Sequence, residues 1–110
     1  MFAIAFDMVM ADLAANYTGG HPTNAYYDIR TVMAQYDFFN AQGSLYLTEN
    51  DDMANLFAVM NALKSIPWFA ASVRDIRAFR VENWSDFTQF MKGTVNGGNA
   101  QGANKSKGII

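Results

Sequence analysis

Met1–Val9 reads MFAIAFDMV, eight apolar residues interrupted by a single carboxylate at Asp7. A continuous apolar run of this kind reads as a buried strand. Over about Phe2–Met10 the even positions Phe2, Ile4, Phe6, Met8 and Met10 are all large, whereas the odd positions Ala3, Ala5, Asp7 and Val9 are mostly small. Alternate side chains of a strand face opposite sides of a sheet. One face should therefore take helices, and the other should present small residues around Asp7, as a close-packed dimer contact or a shallow site would need. A carboxylate in a buried strand costs several kcal/mol unless it is paired, hydrogen-bonded or bound to a cation. Two readings of Asp7 stand at this point. It is a catalytic or metal-binding acid, or it sits at the strand end and accepts N–H bonds from the next loop.

The remainder of the chain supplies the other elements. Asn16–His21 (NYTGGH) is a loop, and Pro22 suits the first position of a helix. Ala25, Tyr26, Ile29, Val32, Met33 and Tyr36 follow helical spacing. Phe38–Ala41 and Ser44–Leu47 read as two short strands joined near Gln42-Gly43. Asn50 or Asp51 can cap the next helix, whose apolar stripe is Met53, Leu56, Phe57, Met60 and Leu63. Pro67-Trp68-Phe69 starts a short further helical turn, Val73–Glu82 is the last long strand, and Ser85 can cap a terminal helix containing Phe87, Phe90 and Met91. The order strand, helix, strand, strand, helix, strand is the ferredoxin-like (βαββαβ) pattern, an α+β two-layer sandwich with helices on one face of an antiparallel sheet. Residues 1–92 form the expected domain. From residue 93 to 110 Gly, Asn, Ala, Gln and Ser dominate, a composition expected to give a flexible tail.

Composition excludes several classes. A chain of 110 residues suits one domain. There is no cysteine, hence no thiolate metal site or nucleophile. The N-terminus lacks a basic region and a cleavage site, so no signal peptide is expected. No apolar run approaches the roughly 18 residues of a membrane span, and a cytoplasmic location without membrane association is the expectation. Formal net charge is −2, and because Lys105 and Lys107 lie in the tail, residues 1–104 carry −4. Broad nucleic-acid binding through a basic footprint is disfavoured, so any RNA contact must come from a local cluster.

Several segments together resemble the virulence-associated protein D (VapD) family: MFAIAFDMV, NAYYDIR at Asn24–Arg30, QGSLY at Gln42–Tyr46, and WFAASVRDIRAFRVENWSDFT at Trp68–Thr88. The resemblance covers about residues 1–92 and leaves out the tail. It implies a small toxin-like endoribonuclease acting on single-stranded RNA or mRNA, with a ferredoxin-like fold similar to the small CRISPR-associated nucleases. It also implies a homodimer packed sheet against sheet, with the acid at the end of the first strand of each protomer meeting its mate across the two-fold axis. Asp7 matches that position, and a small antitoxin protein is a partner the resemblance brings with it.

The chemistry the resemblance implies assigns roles to particular residues. Two symmetry-related Asp7 carboxylates could hold one divalent cation, Mg²⁺ being the natural choice, with waters completing the octahedron. Without metal, two close carboxylates cannot both ionise easily, so one becomes a proton donor. Ser44 matches the family's Gly-Ser pair and could bond a phosphate oxygen; an ordinary turn serine is the competing reading. Arginine forks suit phosphate, and Arg74 and Arg77 are the candidates for it. Strand alternation puts Arg77 with Asp75 on one face and Arg74 with Arg80 on the other, so an Arg77–Asp75 interface ion pair weighs equally with substrate binding. Ala3, Ala5 and Asp75 are the expected dimer-interface residues. Tyr26, Tyr27 and Tyr46 could stack on bases, with packing an equal alternative. His21, the single histidine, reads as a solvated or helix-capping loop residue rather than a general base. A non-catalytic homodimer binding nucleic acid or protein is the rival to the nuclease, and a small-ligand regulatory domain ranks behind both.

Overall fold

The apolar alternation of the first segment forms β1, Phe2–Met8, and the computed structural model describes residues 1–93 of the chain. The elements that follow are α1 (Met10–Asn16), α2 (Asn24–Ala34), β2 (Phe39–Gln42), β3 (Leu45–Thr48), α3 (Met53–Lys64), α4 (Pro67–Ser72), β4 (Val73–Arg80) and α5 (Thr88–Lys92). The sheet order is β2-β3-β1-β4, and every neighbouring pair is antiparallel. Two strand–helix–strand crossovers are thus interleaved, which is the ferredoxin-like arrangement expected from the order of elements. Residues 1–80 make one packed unit; the described residues from Val81 to Gly93 belong to a second, which holds α5. Beyond Gly93 the expected flexible tail lies outside the described residues.

The even positions of β1 make the core. Phe2, Ile4, Phe6 and Met8 are buried together with Leu13 of α1, Ala25, Ile29 and Met33 of α2, Leu56, Val59 and Leu63 of α3, and Phe69 of α4. The α2 set recurs at four-residue intervals, the spacing that keeps side chains on one helix face. Each large apolar side chain fully buried here stabilises the fold by about 1.5–3 kcal/mol before conformational entropy is counted. Phe6 is the aromatic pivot, with its ring edge-on to Phe69 at 5.6 Å and stacked with Tyr46 at 6.2 Å.

The structure revises several boundaries. β1 ends at Met8 rather than Met10, because Met10–Asn16 (MADLAAN) folds as α1, a helix the strand alternation masked. Its residues are good helix formers, and Asp12 lies in its first turn. The cap of α3 is Asp52, whose carboxylate accepts the Ala54 N–H at 2.9 Å, rather than Asn50 or Asp51. Asn50 instead receives the Asp52 N–H, and Asp51 pairs with the amino terminus at 2.7 Å. α5 starts at Thr88, whose N–H donates to Asp86, so Ser85 is not its N-cap. β4 stops at Arg80, two residues short of Glu82. The hairpin between β2 and β3 turns on Gly43 and Ser44, and Gly43 takes φ of +47°, a left-handed value that favours glycine.

Candidate active site

Directly paired residues in an antiparallel ladder share a face, so the register of β1 with its neighbours defines what surrounds Asp7. Ala3 pairs with Leu47 and Phe79, Ala5 with Leu45 and Arg77, and Asp7 with Asp75. Phe39 joins this face through its pairing with Leu47. The small odd positions and Asp7 therefore lie on the sheet face opposite the helices, as their alternation predicts.

Asp7 itself is not buried in the chain. Its side chain is 62% exposed, so the desolvation argument for it does not hold for a single chain. What singles it out is its company. Two carboxylates placed directly opposite each other in an antiparallel pair repel, and here each has its own guanidinium. Arg77 Nε donates to both oxygens of Asp75, at 3.1 and 3.2 Å. Arg74 Nη1 lies 3.6 Å from Asp7 Oδ2.

The second contact corrects the expected placement of Arg74. Strict alternation put it on the far face from Asp7. The ladder pairs Asp7 with Asp75 and Met8 with Val73, so Arg74 is an extra residue in β4, a β-bulge. Bulges re-aim side chains next to sites, and this one brings Arg74 to Asp7. The four groups form a cluster of two acids and two bases at the end of β1. All are largely exposed, and ion pairs of that kind contribute about 0–1 kcal/mol to stability. Structural stabilisation is therefore a weak reason for the cluster.

Other elements approach the same end of the sheet. The Phe6 N–H donates to the Ser44 carbonyl at 3.2 Å, which sets the Gly43-Ser44 turn beside the residue preceding Asp7. From α2, the Tyr26 hydroxyl donates weakly to Met10 Sδ at 3.4 Å. Partial burial, and secondarily the negative charge of Asp7, push the Tyr26 phenol above its ordinary acid constant. Tyr26 is thus within electrostatic reach of Asp7. Its helical spacing could not reveal this, because the contact depends on how α2 lies over the sheet.

Two candidates fall away from the site. Tyr46 is only 2% exposed and its ring stacks on Phe6 in the core, so it is not available to stack on an RNA base. The reason is register: Tyr46 pairs with Ile4, on the helix-covered face. His21 is an exposed loop residue that accepts the Thr23 N–H at 3.2 Å; Thr23, not His21, is the N-cap of α2. Among the described residues no three metal-ligating side chains converge. The carboxylates that face each other at this end of the sheet are Asp7 and Asp75.

No family model matches the chain. Curated relatives match it along nearly their whole length. It is 54% identical over 92 residues to a protein of Neisseria gonorrhoeae named Endoribonuclease VapD homolog, covering 84% of this chain and 99% of that one. It is 53% identical, with the same coverage, to Endoribonuclease VapD of Haemophilus influenzae. A Helicobacter pylori protein of that name is 42% identical over 95 residues, covering 84% of this chain and 99% of its own. At these identities and this coverage, the chain belongs to the VapD family.

Proposed function

We propose that this chain is an endoribonuclease that cleaves single-stranded RNA as a homodimer, with Asp7 as its acid–base residue. The observation that carries the reading is the β1 end itself: an exposed carboxylate with a bulge-presented arginine beside it, in a chain half identical to proteins named endoribonucleases. Asp7 accepts the proton of the ribose 2′-hydroxyl as its oxygen attacks phosphorus and the bond to the 5′-oxygen breaks. Arg74 and Arg77 shift from their carboxylates onto the phosphate and stabilise charge on its equatorial oxygens. Ser44, on the neighbouring turn, donates to a phosphate oxygen. In a dimer, a second Asp7 close to the first would stay protonated, since two adjacent carboxylates resist ionising together, and would supply the proton the 5′-oxygen takes up.

The dimer reading is supported by the apolar surface on this sheet face: Ala3 and Leu47 are already covered within the chain, but Ala5 is only half-buried and Phe39 and Phe79 expose 45% and 46% of their surface. Sheet-to-sheet packing would bury them and bring the two Asp7 residues near the axis. A divalent cation such as Mg²⁺ would be held by Asp7 and Asp75 with water filling its remaining positions, and would neutralise phosphate charge. As a toxin-like enzyme, the protein would work on cytoplasmic mRNA and be held in check by a small antitoxin protein. No described helix is long and apolar enough to cross a membrane.

A single-turnover assay tests the chemistry: one RNA strand, and the same strand carrying a 2′-deoxy residue at the cleavage position, each with Mg²⁺ and with EDTA. Cleavage of the first strand and not of the second supports attack by the 2′-hydroxyl. Loss of cleavage in EDTA assigns the cation an essential part. Binding without cleavage of either strand would replace the enzyme with a non-catalytic RNA- or protein-binding dimer.

A further inference from the structure

The outer face of α2 carries a recess that none of the active-site residues explains. Thr23, Tyr26, Tyr27 and Arg30 line it. They recur at three- and four-residue intervals, so they share one helix face, while Ala25, Ile29 and Met33 point into the core. Tyr27 is 69% exposed, so packing does not account for its ring. The Arg30 guanidinium lies 5.9 Å from the centre of that ring, at the outer limit of a cation–π contact.

The charge pattern separates Arg30 from the other arginines. Arg74 pairs with Asp7, Arg77 with Asp75 and Arg80 with Asp51. Arg30 is the one arginine among the described residues with no carboxylate partner; its hydrogen bond goes to the neutral Asn40 side chain at 3.4 Å. A guanidinium held in place yet uncompensated is suited to a phosphate. An exposed aromatic ring beside it is suited to a base, since stacking on protein aromatics is a general means of holding single-stranded nucleic acid. The Tyr26 hydroxyl, on the rim of this recess, bonds Met10 Sδ, three residues beyond Asp7 in sequence.

We infer that the α2 recess is a nucleotide subsite of the RNA strand: Tyr27 stacks on a base of the bound strand away from the cleavage position, and Arg30 holds that nucleotide's phosphate. The inference rests on the endoribonuclease reading for its substrate and adds residues outside the acid–arginine cluster. It also explains how an acidic chain holds RNA, through one uncompensated cation and an aromatic platform in place of a broad basic surface.

The test is the affinity of the full chain for a fluorescent 2′-O-methyl single strand, which binds without being cut, measured for wild type, Tyr27→Ala and Arg30→Gln. Both side chains are exposed, so the variants should fold as wild type does, and circular dichroism checks it. The expected result is a loss of affinity of about 5-fold or more for each, the low end for removing a stacked aromatic. Cleavage of unmodified RNA should show a matching rise in KM with little change in kcat. Equal affinity for all three proteins, or no binding by wild type, overturns the subsite. Binding that depends on Tyr27 and Arg30 in a wild type that cuts nothing would retain the subsite and refute the enzyme instead.

Discussion

Phe6 and Asp7 are neighbours in β1, and their side chains go to opposite faces of one sheet. Phe6 is buried among Phe69, Tyr46 and the helices, where any polar replacement would be left without a partner. Asp7 stands among groups that are charged and exposed, and opposite a second carboxylate. The helix-covered face follows the rules of stability, with apolar volume filling space at fixed intervals. The open face breaks one of those rules, since like charges face each other across the ladder. Departures of this kind are expected at functional sites, and this one lies where the catalytic acid is proposed.

The comparison can be broken by exchanging the expected effects. Ile4→Ala on the helix-covered face should destabilise the protein by about 2–5 kcal/mol, read by urea unfolding, because it opens a cavity where the residue is fully buried. A loss under 1 kcal/mol would mean that this face is not the core. On the open face, Phe79→Glu should leave the unfolding midpoint near the wild-type value while weakening self-association by about 10-fold or more in analytical ultracentrifugation, as loss of an interface anchor does. A dimer that survives this change would move the interface elsewhere. Arg74→Gln should lower kcat/KM by about 10-fold, the worth of one hydrogen bond to a charged group, with stability unchanged. An equal loss of stability would make the Arg74–Asp7 pair structural.

The smallest effect concerns Asp51. The hydrogen bond from the amino-terminal ammonium, with further help from that charge and from Arg80, holds its carboxyl below the ordinary value of 3.8. A depressed carboxyl contributes stability that is present above its unfolded value and lost as pH falls through its folded one. Asp51→Asn should therefore cost a little stability at neutral pH and flatten the decline of stability below about pH 4. An unaltered acid limb in pH-dependent thermal melts would show that the contact is inconsequential.

Much of this molecule was legible before folding. The alternation in Met1–Val9 marked β1, its two faces and Asp7, and the order of elements marked the ferredoxin-like sheet. Several features depended on relations between segments that no local pattern carries. Arg74 reaches Asp7 because a bulge shifts β4 against β1, and a one-residue slip reverses the face of every residue beyond it. Tyr46 went to the core because β3 pairs with β1 in a register that aligns it with Ile4. α1 was hidden because Met10 extended the strand alternation by one more beat. Arg30 sits within NAYYDIR, and only the pairing of the other three arginines sets it apart from them.

The central claim is that Asp7 does chemistry rather than holding the sheet together. The most direct measurement pairs the single-turnover cleavage rate of an end-labelled RNA with the thermal midpoint, for wild type and Asp7→Asn prepared side by side. Because the side chain is exposed, the midpoint should be unchanged, while cleavage should fall by about 100-fold or more, the scale of removing an acid–base group. Cleavage by Asp7→Asn at the wild-type rate would contradict the account and move the active site away from the end of β1.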